Sequence, residues 1–140
     1  MMLPRPAQNV IERLRAAGLR PTRQRLALAR LLFENGDRHV TAELLHGEAL
    51  TGHIRVSLAT VYNTLHQFTA VGLLREVVVE PGRSYFDTNI ADHHHFFSES
   101  AGTLQDIPGH GVVISGLPQA PAGTQIRRVE VIVRIGPEGD

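Results

Sequence analysis

Three adjacent histidines, His93, His94 and His95, precede Phe96 and Phe97 in the stretch ADHHHFFSES, the densest concentration of ligand chemistry in the chain. The run lies inside the sequence, so a terminal purification tag does not account for it. On a strand, successive side chains face opposite ways, which puts His93 and His95 on one face and His94 on the other. Two imidazoles at that spacing can grip one ion, although histidine is also a common surface residue.

The rest of the composition narrows what such a site could hold. With no cysteine in 140 residues, disulfides, thiolate zinc sites and thiol redox switches are excluded, and any metal must be held by nitrogen and oxygen. A hydrophobic fraction of 42% points to a folded chain with room for one ordinary domain or two small ones. No stretch approaches the roughly 18 apolar residues of a membrane span, and MMLPRPAQNV lacks the apolar core of a signal peptide. These features predict a cytoplasmic protein without a membrane partner.

The zero net charge hides two opposite halves. Residues 1–85 hold 11 Arg against 7 acidic residues, a net +4; residues 86–140 hold 3 Arg against 7 acidic residues, a net −4. Seven arginines (Arg5, Arg13, Arg15, Arg20, Arg23, Arg25 and Arg30) face only Glu12 within the first 30 residues. Such a patch suits a nucleic-acid backbone, or simply a solvated helix face.

Periodicity supplies the elements that would carry these groups. Val10, Ile11, Leu14 and Ala17 recur at helical spacing up to Gly18; Thr22 caps a second helix with Leu26, Ala29, Leu32 and Phe33 inward. Thr41 caps a third through Leu44, Leu45 and Ala49, and Ser57 a fourth with Leu58, Val61, Leu65 and Phe68 inward. LLREVVVE then reads as a strand, Pro81 and Gly82 as a type II turn, and RSYFD as the returning strand. Helices followed by a hairpin predict a winged helix-turn-helix whose fourth helix enters the major groove of double-stranded DNA. Its outward residues would be Thr60, Asn63, Thr64 and His66, with Tyr62 at the edge of the apolar stripe, either reading DNA or buried as core. Further on, TLQDI reads as a strand, and RRVEVIVRI as a half-buried one with Val129, Val131, Val133 and Ile135 on one face.

AGLRPTRQRLALARLL, HVTAELL, VSLATVYNTLHQF, GLLRE and DHHHFF occur in an order and spacing that resembles the ferric uptake regulator (Fur) family of metal-dependent transcription factors, over about residues 9–107. The phrase SLATVYNTL is highly specific to that family's recognition helix. The histidine run and the lack of cysteine most resemble its iron response regulator (Irr) branch. The resemblance implies an α+β protein: a winged helix-turn-helix over 1–85, a hinge over 86–92, and a small α/β dimerisation and metal-sensing domain over 93–140. It implies a homodimer or higher oligomer that binds operator DNA as a repressor in iron homeostasis, and not an enzyme. DNA contacts would come from Arg20, Arg23, Arg25, Ser57, Thr60, Tyr62 and Asn63. The regulatory metal, Fe, Mn or Zn, would fall on His39, Asp87, His93, His95 and Asp106.

Some family features are altered here. The Cys-x-x-Cys that holds a structural zinc in other members is replaced by Ser98 and Ala101, and the helix between the last strands is represented only by GHGVVISGLPQAPAG, implying something shorter or irregular. A second family metal site would need Asp92 and His94, with His110 as the candidate to complete it. The Irr branch implies a haem response at His93, His94 and His95, although the Cys-Pro motif of some haem-regulated members is missing. Two other functions compete. One is a peroxide-sensing regulator of the same family that uses the same ligands. The other is an enzyme, because His93, His95 and Glu99 follow the His-x-His-x-x-x-Glu spacing of cupin metal sites. Too little chain follows the winged half to build a cupin barrel, and no glycine follows Glu99 at the distance such sites require.

Overall fold

The computed structural model describes residues 6–139. Arg5, counted in the basic patch, lies outside them. The chain forms two compact units, residues 1–90 and 91–140.

The first unit opens with helix α1 (Pro6–Ala16) and helix α2 (Arg23–Phe33). A two-residue strand β1 (His39–Val40), helix α3 (Ala42–Thr51) and helix α4 (Leu58–Ala70) follow. Strands β2 (Arg75–Glu80) and β3 (Arg83–Asp87) close the unit. The side chains of Thr22, Thr41 and Ser57 each accept a hydrogen bond from the backbone N–H three residues later, satisfying one otherwise orphaned donor per helix. Helices α3 and α4 meet through a turn in which His53 takes φ +60°, a left-handed conformation that side chains adopt uncommonly.

Strands β2 and β3 form the wing. Gly82 has φ +75°, as the third position of a type II turn requires, and β1 pairs antiparallel on the far side of β3 to give the order β1-β3-β2. The core runs through all four helices into the sheet: Leu14, Leu28, Leu32, Leu45, Val61, Leu65, Phe68 and Phe86 are buried together. Phe68 packs on Phe33 with ring centroids 6.3 Å apart, and the Arg13 guanidinium lies 4.1 Å from the Phe33 centroid. The expected winged helix-turn-helix is therefore the observed fold of this unit.

Individual positions differ from the expected stripes. On α2 the fully buried leucines are Leu28 and Leu32, with Leu26 only partly buried. On α3 the inward set is Ala42, Leu45 and Ala49, which turns the adjacent Leu44 to solvent. Thr64, expected to face outward, is buried, because it lies three residues after Val61 and four before Phe68, within the stripe those two define.

The second unit holds β4 (His94–Ser98), β5 (Thr103–Ile107), a 3₁₀ turn (Gly109–Gly111) and β6 (Ile132–Ile135). Strand β4 is central, antiparallel to β5 and parallel to β6. Between the 3₁₀ turn and β6 the described chain contains no helix, as the prolines and glycines there imply. The last strand is shorter than its alternating pattern: its ladder with β4 starts at Ile132 opposite His95, the Val131 N–H being taken by the His94 side chain; Val129 and Val131 precede the ladder, and Ile135 is exposed. Overall the class is α+β, and no helix among the described residues is long and apolar enough to cross a membrane.

Truncating Phe68 leaves a cavity in the middle of the first core. Phe68→Ala should lower the unfolding free energy by about 3–5 kcal/mol. Thr41→Ala, which removes only a cap, should lower it by about 1 kcal/mol. Urea denaturation of the two variants beside the parent checks both values.

Candidate metal centre and DNA-reading face

Sheet register assembles the histidine and aspartate residues within each unit. In the first, His39 on β1 is the cross-strand partner of Asp87 on β3, and His39 Nε2 lies 3.4 Å from Asp87 Oδ2. Asp87 is 1% exposed; its Oδ1 accepts the Asn89 N–H at 2.9 Å. Arg75 on β2, also buried, is the register partner of Asp87 on the other side, a guanidinium placed to offset a buried carboxylate's charge. Arg38 anchors the start of β1 through a two-bonded ion pair with Glu48 (2.6 and 2.9 Å) and backbone bonds to Thr88.

In the second unit His95 on β4 is the partner of Asp106 on β5. The Nε2 atoms of His93 and His95 lie 3.1 and 3.4 Å from the same Asp106 oxygen, with ring centroids 4.5 Å apart. His93 Nδ1 donates to the Ala91 carbonyl at 2.5 Å, so a neutral His93 directs its Nε2 lone pair at an anionic oxygen. A cation between such groups, proton or metal, resolves that repulsion. Imidazole nitrogens facing carboxylate oxygens, with no thiolate in the chain, fit a divalent first-row ion.

His94 faces the other way, as strand alternation requires. Its Nδ1 accepts the Val131 N–H at 3.0 Å, which leaves the ring proton on Nε2 and no lone pair for iron. Among the described residues no hydrogen bond or ion pair joins Asp92, His94 and His110. Glu99 pairs with Arg134 at 2.9 Å at the exposed end of β4, so the cupin-like triad is not assembled; His93 and His95 meet Asp106 instead. At the positions that match the family's Cys-x-x-Cys, Ser98 Oγ accepts the Ala101 N–H at 3.2 Å and closes the turn.

On the helical side, Ser57 and Thr60 are bonded to each other at the start of α4, and Asn63 is exposed on it. Tyr62 is 37% exposed and so is not core; its hydroxyl donates to Glu43 Oε1 at 2.7 Å. That bond holds the Glu43 carboxyl below its ordinary pKa and pushes the Tyr62 phenol above its own. Arg25 is committed within the unit, donating to the Arg20 carbonyl (3.0 Å) and to Gln67 Oε1 on α4 (3.2 Å). The Arg20 and Arg23 side chains make no hydrogen bond or ion pair among the described residues. Sequence reasoning missed Arg75 and Glu43. Arg75 could have been noticed as a charge at an inward position of an alternating strand, whereas nothing local links Glu43 to Tyr62, 19 residues away.

Residues 16–120 match the sequence profile of the ferric uptake regulator family. The peroxide-responsive repressor PerR of Staphylococcus aureus (strain Mu50) is 34% identical over 99 residues, covering 71% of this chain and 66% of that protein, just under two thirds of its length. Among solved structures, the ferric uptake regulator of Vibrio cholerae superposes with a TM-score of 0.71 at 21% identity, covering 91% of this chain and 98% of that one. The manganese-containing ferric uptake regulator of Pseudomonas aeruginosa gives 0.67 at 22% identity, covering 91% and 96%. At these identities the structures support the fold alone. The relatives at 34% identity are peroxide-responsive repressors, which corrects the assignment to the iron response regulator branch. That assignment rested on the histidine run and the missing cysteines; in the structure His95 of the run is the cross-strand partner of Asp106, and Ser98 closes the turn where the cysteines are missing. The haem response expected of His93, His94 and His95 loses its support with the branch.

The two arginines on the first turn of α2 should separate cleanly. Arg25→Ala should lower stability by about 0.5–1.5 kcal/mol through its lost bridges to Arg20 and Gln67. Arg23→Ala should leave the unfolding midpoint unchanged. Equal losses in chemical denaturation would assign both side chains the same role.

Proposed function

Because the chain belongs to the ferric uptake regulator family, we propose that it is a metal-dependent transcriptional regulator that binds operator DNA as a homodimer. Its DNA contacts are Arg20, Arg23, Ser57, Thr60, Tyr62 and Asn63, with Arg25 bracing the reading helix. A divalent metal is held by His39 and Asp87 from the first unit and by His93, His95 and Asp106 from the second. The observation that carries this reading is the repeated cross-strand pairing of a histidine with an aspartate, half-buried His39 with Asp87 and buried His95 with Asp106, once in each unit. Two ligands on one side and three on the other make each set incomplete alone. Sharing one ion across the segment 86–92 would couple the units, and operator affinity would change only by the difference in ion affinity between coupled and uncoupled arrangements.

Within that role, the more specific reading is a peroxide-responsive regulator. It is supported by the 34% identity to repressors of that name and by a ligand set of histidine and aspartate without cysteine. Peroxide would supply both oxidising equivalents, its O–O bond breaking so that one oxygen is added to an imidazole carbon and the other leaves as water, and ferrous iron held at the site would promote that cleavage beside the ring. His93 and His95 are the rings held against Asp106, and oxidation of either removes a ligand nitrogen. Iron homeostasis, expected from the Irr resemblance, gives way to this reading.

The ligand set is tested by metal content and operator binding. His39→Ala, His93→Ala and His95→Ala should each release the metal and lower operator affinity by about 5- to 150-fold. His94→Ala should retain it. Retention of metal by all three ligand variants would exclude the set. For the DNA face, Arg23→Ala should weaken binding to all sequences and flatten the salt slope by about one unit.

Peroxide sensing has its own readout. Treating the iron-loaded protein with peroxide should add the mass of one oxygen to a peptide containing His39 or His93–His95 and release operator DNA, and the manganese-loaded protein should do neither. Release of DNA without any modified histidine would contradict this specific reading while leaving metal-dependent binding intact.

A further inference from the structure

Resting on the DNA-reading role proposed above, we infer that Glu43 is a specificity-determining residue that positions Tyr62 on the reading helix. The Tyr62 ring is held at two places. At its tip the hydroxyl donates to Glu43 Oε1 on the first turn of α3 at 2.7 Å. On its face it lies over His66, one helical turn later, with centroids 6.4 Å apart and planes 18° apart. His66 in turn meets the edge of Phe86 at 5.5 Å and 82°, and Phe86 is fully buried. This exposed side chain of the reading helix is thereby tied through His66 to the core and through Glu43 to the neighbouring helix. Its rotamers are restricted before any DNA arrives, which lowers the ordering cost of binding.

The same bond decides what Tyr62 offers. Its only hydroxyl proton is directed at Glu43, so it is not available to a base acceptor or a phosphate oxygen, and the ring itself is what projects outward. An aromatic face or edge packs on a thymine methyl, a contact that depends on sequence. Glu43, with its carboxyl held below the ordinary range by the Tyr62 hydroxyl, keeps a negative charge on this face. Glu43, Tyr62 and His66 border a cleft of about 350 Å³ together with Arg83 and Ser84 of the wing, so the charge sits where a duplex would lie between reading helix and wing. It repels the backbone of every sequence, whereas the fixed ring stabilises only a matching one. The charge lowers affinity for matching and non-matching duplexes alike and leaves their ratio unchanged, so discrimination comes from the ring that the Glu43 bond holds in place.

The experiment uses the full chain, a duplex selected by the parent protein from a random pool, and a scrambled duplex of equal length. Glu43→Ala should bind the scrambled duplex more tightly and show about tenfold less preference for the selected one. Glu43→Gln, which keeps an oxygen acceptor for the Tyr62 hydroxyl but no charge, should restore the preference while retaining the tighter scrambled binding. Tyr62→Phe should lose preference to the same degree as Glu43→Ala, and the double variant should be no worse than either. Both side chains are exposed, so folding should be unaffected; if Glu43→Ala does unfold, Glu43→Gln and Tyr62→Phe carry the comparison. An unchanged preference in Glu43→Ala, no restoration by Gln, or additive losses in the double variant would overturn the inference. A parent protein that selects no duplex at all would overturn the DNA-reading role itself, a result distinct from these.

Discussion

The structure depends on an imidazole placed opposite a carboxylate across an antiparallel ladder. His39 faces Asp87 on β1 and β3, and His95 faces Asp106 on β4 and β5. Strand side chains have a period of two, so a slip of one residue would turn the whole set to the other face. In the first sheet the register is anchored on both flanks, by the Arg38–Glu48 and Arg38–Thr88 bonds beside β1 and by the Gly82 turn between β2 and β3. Asp87 is buried with polar partners, the His39 imidazole and the Asn89 N–H, and a buried arginine, Arg75, occupies the neighbouring register position.

The helical core serves this arrangement from behind. Val40 and Phe86, the residues adjoining His39 and Asp87, are register partners and are both buried in the same cluster as Leu45, Leu65 and Phe68. Core packing thus fixes the strands that present the ligands, and the same packing fixes α4, whose outward side carries Tyr62, Asn63 and His66. Phe86 touches both sides of this economy, adjoining Asp87 along the chain and meeting His66 in space.

The second unit is leaner. Its three short strands leave β5 and β6 as edges, and a long irregular segment replaces any helix between the 3₁₀ turn and β6. Exposed apolar side chains such as Val113, Leu117 and Ile126 lie on that segment. What is regular there is β4, where His95 and Phe97 point inward while His94 ties the backbone of Val131.

The amino-acid sequence by itself determined everything that depends on local periodicity and chemistry. Ser and Thr caps placed three helix starts, Pro81-Gly82 placed the wing turn, and alternation separated His94 from His93 and His95. The absence of cysteine limited any ligand set to nitrogen and oxygen. The five candidate ligands were legible only through family resemblance, since no local pattern joins His39 to a residue 48 positions on. Tertiary structure alone decided the partners: that His39 meets Asp87, that Arg75 is the buried cation beside them, that Arg25 braces α4, and that the Tyr62 hydroxyl belongs to Glu43. It also decided that Thr64 is buried and that β6 is short, because burial depends on which neighbour covers a face and strand length on where each backbone N–H finds its acceptor. Those are long-range facts. Periodicity reports which way a side chain points along its own element, and only the packed fold determines what it finds there.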